Sequence, residues 1–320
     1  MPDTWDYEAP AEQQPQNYAF RLLTVTLCLL CLLLTIANVS SVYVQSNFWI
    51  TLGKFGSMDV GKIWDGHWPA LFTSVFVHGN RTSFMSTVLH LGFNLLWLLA
   101  LGRILEDTIH TALTALFFIT SAMVASGVEI AISGVAPNGV SGVVYAMFGL
   151  MWAGRKQYED WAFVATPKNM RVFVGWGLFC VVVTRLGWMQ IANAAHFGGL
   201  AFGLLVGYLF VAKKQQALSA LGLVGLGIVT FLSVTYMPWS VAWVEHQAFR
   251  YERTQRYADA IREYKHAMAM GADPRLVWAR ILQLQYVQQN EQGVVEALSE
   301  LQRLGAIKVT PAQGNRQPQQ

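Results

Sequence analysis

The segment Asn138-Gly139-Val140-Ser141-Gly142-Val143-Val144-Tyr145-Ala146-Met147-Phe148-Gly149-Leu150-Met151-Trp152-Ala153-Gly154 decides the fold. A polar turn with a glycine on each side of a serine runs straight into a charge-free apolar stretch. The stretch, residues 139–154, falls short of the roughly 20 residues of a full bilayer crossing. Short apolar segments that open at a polar, glycine-containing turn border a water-filled cavity inside a membrane bundle. Ser141 then stands at the first turn of a helix. The amide groups there lack partners, and the dipole end is positive, which suits an oxyanion.

Outward from this segment the same pattern repeats. Six further apolar blocks lie at roughly 20–44, 82–105, 111–133, 171–187, 192–212 and 217–238, giving seven expected spans. The composition agrees: 54% of the 320 residues are hydrophobic and only 13% are charged, about half the charge of a soluble domain. The expected fold class is all-α, a polytopic membrane helix bundle with six core helices, a seventh span and a small C-terminal helical domain. A net charge of +3 leaves no footprint for nucleic acid. Cys28, Cys31 and Cys180 all sit in apolar stretches. Their odd number excludes a disulfide framework, and Cys28-x-x-Cys31 reads as packing inside a span.

Orientation follows from basic residues near span ends. With the N-terminus in the cytoplasm, the inner segments hold eight (Arg21, Arg103, Arg155, Lys156, Lys168, Arg171, Lys213 and Lys214). The outer loops hold four: Lys54, Lys62, Arg81 and Arg185. Seven spans then put the C-terminal segment outside. Residues 1–19 carry Asp3, Asp6, Glu8 and Glu12 without Lys or Arg, so they read as a polar tail before a retained first span rather than as a signal peptide. The loop 45–81, with Trp49, Trp64 and Trp68, is expected to lie against the headgroups. Residues 244–305 are helical in pattern. Tyr257, Ala260, Ile261, Tyr264 and Ala267 form one stripe, and Gly271-Ala272-Asp273-Pro274 breaks it. Ala260, Tyr264 and Ala267 resemble the second helix of a tetratricopeptide repeat and recur weakly, 37 residues on, as Ala297, Leu301 and Leu304. A domain of this kind is expected to bind a protein partner or present substrates, and to be removable at about residue 240 with cleavage of a model substrate intact. Residues 311–320 read as a disordered tail.

Polar side chains inside spans are costly and mark candidate sites. His90 and Asn94, four apart, share a helix face. Ser141 and Tyr145 do the same on the fourth span. His196 precedes Gly199, Gly203 and Gly207, a ridge of small residues that admits a close neighbour. His90 or Asn94 alone reads better as a helix–helix contact, and Gly-x-Ser-Gly alone is weak evidence. The N-in topology nevertheless puts all of them a few residues below the outer surface.

At these residues the chain resembles the rhomboid family of intramembrane serine proteases. The matching pieces are His90-x-x-Phe93-Asn94, Leu101-Gly102-Arg103-x-x-Glu106, Gly139-x-Ser141-Gly142 with Tyr145, and Ala195-His196-x-x-Gly199-x-x-x-Gly203, in family order across residues 20–213. The resemblance implies a Ser141 nucleophile with His196 as base, and no cofactor or metal. It implies an oxyanion hole of His90, Asn94 and the Ser141 N–H, with Tyr145 stacked on His196. Gly139 and Gly142 would flank the nucleophile, and Gly199 and Gly203 would pack the two helices tightly. Substrates would be transmembrane proteins in the lipid bilayer, and the location a bacterial inner membrane. The chain departs from the family at Trp68-Pro69, where Trp-Arg is usual, and in the length of His78 to His90. His78 could match a family loop histidine, and the reading preferred for it is structural. The rival readings are a catalytically inactive rhomboid-like protein that binds membrane clients, and a transporter. Inactive relatives lack the serine or the histidine, and a transporter would need more intramembrane charge.

Overall fold

The computed structural model describes residues 21–43, 59–79 and 84–307. The tails expected at 1–19 and 311–320 lie outside the described residues, as does Trp49. All regular structure among the described residues is helical. Helices occupy each of the seven apolar blocks: α1 (Leu22–Tyr43), α4 (Phe84–Ile109), α5 (Thr111–Ser133), α6 (Ser141–Gly154), α8 (Pro167–Arg185), α9 (Asn193–Val211) and α10 (Gln216–Thr235). Between them lie short helices α2 (Val60–Trp64), α3 (Ala70–Thr73) and α7 (Glu159–Val164). Five of these helices, α1, α4, α5, α9 and α10, are long and apolar enough to cross a membrane. The molecule is an all-α polytopic bundle. α6 is apolar but has only 14 residues, so its first turn lies within the bundle.

Inside the bundle, polar groups settle on helix ends. Glu106 of α4 accepts from the backbone N–H of Thr24 at 3.0 Å and of Leu23 at 3.2 Å, and from the Thr24 hydroxyl at 2.9 Å. A carboxylate thus caps the start of α1 from a neighbouring helix, where a helix N-terminus favours negative charge. A methyl group at Gly102 would lie 2.8 Å from Thr24 Cγ2, so glycine sets this approach. Phe72, Phe76 and Phe118 pack ring against ring, tying the loop after α3 to α5.

The loop differs from the expected headgroup layer. Ile63, Trp64, Ala70 and Leu71 are buried in one core with Ile130, Val234, Met237, Trp243, Val244 and the C-terminal helices. Trp64 meets Trp243 edge to face, with centroids 5.1 Å apart, and its Nε1 donates to Ser233 O at 2.9 Å. Trp68 alone of the described tryptophans in this loop faces out. The C-terminal unit covers Ile63, Trp64, Ala70 and Leu71 of this loop.

That unit has four helices, α11 (Val241–Arg253), α12 (Tyr257–Ala269), α13 (Pro274–Val287) and α14 (Glu291–Arg303), paired as two hairpins. Asp273 and Asn290 cap α13 and α14 through their side chains. Ala260, Tyr264 and Ala267 are buried, as are Ala297 and Leu301. The helices recur at 33 residues (Val241, Pro274) and 34 residues (Tyr257, Glu291) rather than at the 37 read from side chains. The break before Tyr257 carries neither Gly nor Pro. Gln255 takes a φ of 59° there, and the Arg256 N–H bonds Tyr251 O, so the turn left no compositional mark.

Candidate active site

Gly139 begins the site. Its φ is 96°, a region that disfavours any side chain, and a methyl group on it would lie 2.9 Å from His90 Cε1 and Nε2. Its N–H reaches Ser74 O at 3.4 Å, and the Val140 N–H donates to His78 Nε2 at 3.2 Å. The chain then enters α6 at Ser141. The first N–H groups of a helix have no intrahelical acceptor, so those of Ser141 and Gly142 point out of the turn.

His196 arrives on α9, which lies against α6 almost without side chains between them. A methyl group at Gly199 would collide with Gly142 O, and one at Gly203 with Ala146 O. This closeness leaves Ser141 Oγ 2.8 Å from His196 Nε2. The Tyr145 ring stacks on the imidazole, 4.7 Å between centroids and 4° from parallel. Tyr145 is itself fixed by its hydroxyl, which donates to Phe173 O at 2.8 Å. His196 is buried, and its Nδ1 has no hydrogen-bond partner among the described residues. The imidazole is oriented by stacking.

A residue absent from the sequence reading anchors the His196 helix. Glu129, buried in α5, accepts the Ala195 N–H at 3.0 Å. The N-cap of α9 is Ala192, which has no side-chain acceptor. Glu129 supplies from across the bundle the oxygen that the local sequence lacks. The signal was available: an acid inside a predicted span marks a candidate by the same rule that picked out His90.

On α4, the Gly79 N–H donates to His90 Nδ1 at 3.1 Å. Nδ1 is therefore an acceptor, and Nε2 carries the ring proton. That Nε2 edge faces Gly139, two residues before Ser141. Asn94, buried one turn along, gives one amide hydrogen to His90 O at 2.8 Å and keeps a second. The structure thus brings together Ser141, His196, Tyr145, Gly142, Gly199 and Gly203, and sets His90 against Gly139. Among the described residues, the hydrogen bond of Asn94 runs along its own helix. In chemical terms the pair at 2.8 Å can move a proton from a hydroxyl to an imidazole, beside neutral donors on α4 and at the start of α6.

Residues 65–213 match the Rhomboid domain family model. Rhomboid protease GlpG of Pectobacterium atrosepticum is 35% identical over 122 residues, 38% of this chain and 44% of that protein. Rhomboid protease GlpG of Serratia proteamaculans is 34% identical over 122 residues, 38% of this chain and 43% of that protein. The Salmonella paratyphi A protein of the same name is 29% identical over 147 residues, 45% of this chain and 49% of that protein. The chain spans less than half the length of these curated relatives. The matched segment contains Ser141, His196, His90 and Asn94, while α1 and the C-terminal hairpins lie outside it. Through residues 65–213, this integral membrane protein is similar to the Rhomboid domain family and to proteins named rhomboid protease GlpG.

Proposed function

We propose that the chain is an intramembrane serine protease in which Ser141 attacks and His196 serves as base. The 2.8 Å approach of Ser141 Oγ to His196 Nε2 inside a membrane bundle carries this reading. His196 takes the Ser141 proton, the serine oxygen adds to a peptide carbonyl, and the imidazolium protonates the leaving amine. The resulting oxyanion is met by the Ser141 N–H, by His90 Nε2–H, whose proton placement follows from the Gly79 bond, and by the second amide hydrogen of Asn94. No acidic third member is needed when stacking on Tyr145 holds the ring.

The substrates on this reading are transmembrane proteins, cut where a helix unwinds near the outer face, since a stable helix keeps its carbonyls paired. The excess of basic residues in the inner segments supports an N-terminus in the cytoplasm and C-terminal hairpins outside, on the same side as the first turn of α6. The domain division proposed is a core over 20–213, a seventh span over 217–238 and a helical domain over 244–305. The 33- and 34-residue recurrence of its helices supports a tetratricopeptide-like, partner-binding reading of that domain.

The test is cleavage of a fluorogenic transmembrane-segment substrate, together with labelling by a serine-directed phosphonate. Ser141→Ala and His196→Ala are each expected to abolish both. A Ser141→Ala protein that still releases the fragment overturns the assignment, and an inert wild-type protein that still binds membrane clients supports the non-catalytic rival instead.

A further inference from the structure

From sequence His78 reads as a structural loop residue, and its surroundings say more. Its side chain is fully buried between α1, the Ser141 turn and His90. The hydrogen bond from Val140 fixes which of its nitrogens carries the proton, and three contacts of Thr35 are compatible with it. The Val140 N–H points at Nε2 across 3.2 Å. A backbone amide can only donate, so Nε2 must be bare and Nδ1 protonated. The other side agrees. Thr35 Oγ1 lies 3.4 Å from Nδ1, accepts the His78 N–H at 3.0 Å, and donates its own hydrogen to Phe76 O at 3.4 Å. The hydroxyl thereby spends one hydrogen and two lone pairs, and one of those lone pairs faces Nδ1–H. The opposite tautomer would set two donors against each other at Val140. Burial, and then the neighbouring His90, hold the His78 pKa well below the ordinary imidazole value, which keeps the ring neutral.

The consequence falls on the nucleophile. The turn before Ser141 has two N–H groups, and both are consumed by one loop segment. Gly139 donates to Ser74 O and Val140 to His78. The Gly139 bond holds the Asn138–Gly139 peptide plane and the Val140 bond holds the Gly139–Val140 plane, and Ser141 is the next residue whose N–H this loop does not take up. Resting on the protease reading above, we propose that His78 is a positioning residue for the reaction: through Val140 it sets the peptide plane that presents Ser141, and Thr35 holds it in the tautomer that can do so.

Two substitutions separate this from a packing role. In His78→Gln the amide oxygen reaches the place of Nε2 and can accept the Val140 N–H, while the Thr35 contact is lost. In His78→Asn the amide reaches the place of Nδ1 and can meet Thr35, while the Val140 contact is lost. Each variant gives up one hydrogen bond, so a purely structural role predicts equal losses of activity and of thermal stability. Positioning predicts a split. His78→Asn should lower kcat about 10- to 100-fold with KM little changed, the size expected when a buried hydrogen bond serving the oxyanion site is lost. His78→Gln should recover most of that, at a similar unfolding temperature. Equal kcat in the two variants, or a better Asn than Gln, overturns the proposal. Thr35→Val supplies the second route should the His78 variants fold poorly: it leaves the imidazole in place but removes its proton acceptor. A several-fold drop in kcat is expected, and an unchanged kcat counts against it. Ser141→Ala is run alongside. If it retains activity, the protease assignment itself fails; if it is dead while the Asn and Gln variants match, only the role of His78 falls.

Discussion

Between α6 and α9 the chain meets itself backbone to backbone. Between the loop at 59–79 and the C-terminal hairpins it meets through large side chains. In the first contact, carbonyls of Gly142 and Ala146 occupy the space where Gly199 and Gly203 would carry a methyl group. In the second, Trp64 sits edge-on to Trp243, and Asp65 pairs with His246 at 3.1 Å and Arg253 at 3.6 Å. The difference follows from the solvent. Lipid tails are as apolar as leucine, so membrane helices gain little by burying large side chains and associate instead through close fit and internal hydrogen bonds. In water the removal of aromatic surface is itself favourable. The Ser141–His196 distance is therefore set by what is missing from two helices, and the position of the loop by what is present on two surfaces.

The largest effect should come from filling the first contact. Gly203→Val places a branched side chain against Ala146 O, and backbone on a packed helix cannot swing away. The cost should exceed the roughly 1–3 kcal/mol of an over-packed core, and α9 should move off α6. Activity and phosphonate labelling are expected to fall below detection. A Gly203→Val protein with near-normal kcat would mean that the helices separate without parting Ser141 from His196.

The two contacts also differ in how much of them the sequence revealed. Gly199, Gly203 and Gly207 stood out as a ridge because membrane packing leaves a compositional trace at regular spacing. The helix boundaries followed from the length of each apolar block. The Trp64–Trp243 contact left none: its halves are 179 positions apart, and a tryptophan near a span end is equally at home at an interface. The bond from Glu129 to Ala195 was hidden for a related reason, since a cap normally comes from the preceding residue and here comes from another helix. From sequence His78 reads only as a structural loop residue, because its meaning lies in which nitrogen Val140 faces. Side-chain spacing also suggested a 37-residue recurrence in the C-terminal helices, whereas the backbone repeats at 33 and 34.

An intermediate effect belongs to Glu129, which sharpens the first half of the comparison. Its carboxylate holds the start of α9 from α5, so it works on the same helix as the glycines but by a polar bond. Glu129→Ala removes the only side-chain oxygen shown to reach the Ala195 N–H. A lost helix cap is worth about 0.5–2 kcal/mol, and a loosened His196 should lower kcat about tenfold, the equivalent of roughly 1.4 kcal/mol. Glu129→Gln keeps an acceptor oxygen and should stay within a few-fold of wild type. Steady-state kinetics on both variants checks this, and equal loss in both would show that the negative charge matters rather than the bond.

The smallest effect on activity should come from the second contact, although its local energy is large. Trp64→Ala empties a buried site between the loop and α11, a change that typically costs about 3–5 kcal/mol. The hairpins should then loosen from the loop, seen as faster hydrogen exchange in α11 and easier proteolysis near Trp239. Catalysis of a short model substrate should fall only a few-fold, because the segment that reaches Gly139 and Val140 is anchored elsewhere, by Thr35 and by the Phe72, Phe76 and Phe118 rings. Cutting the chain near residue 240 is a harsher version of the same experiment. It uncovers Ile63, Trp64 and Met237 together, so it should destabilise the loop as well as alter substrate choice, contrary to the clean separation that the sequence suggested. If Trp64→Ala instead abolishes cleavage of the model substrate, the two contacts are one mechanical unit, and the C-terminal hairpins help to hold Ser141 in place.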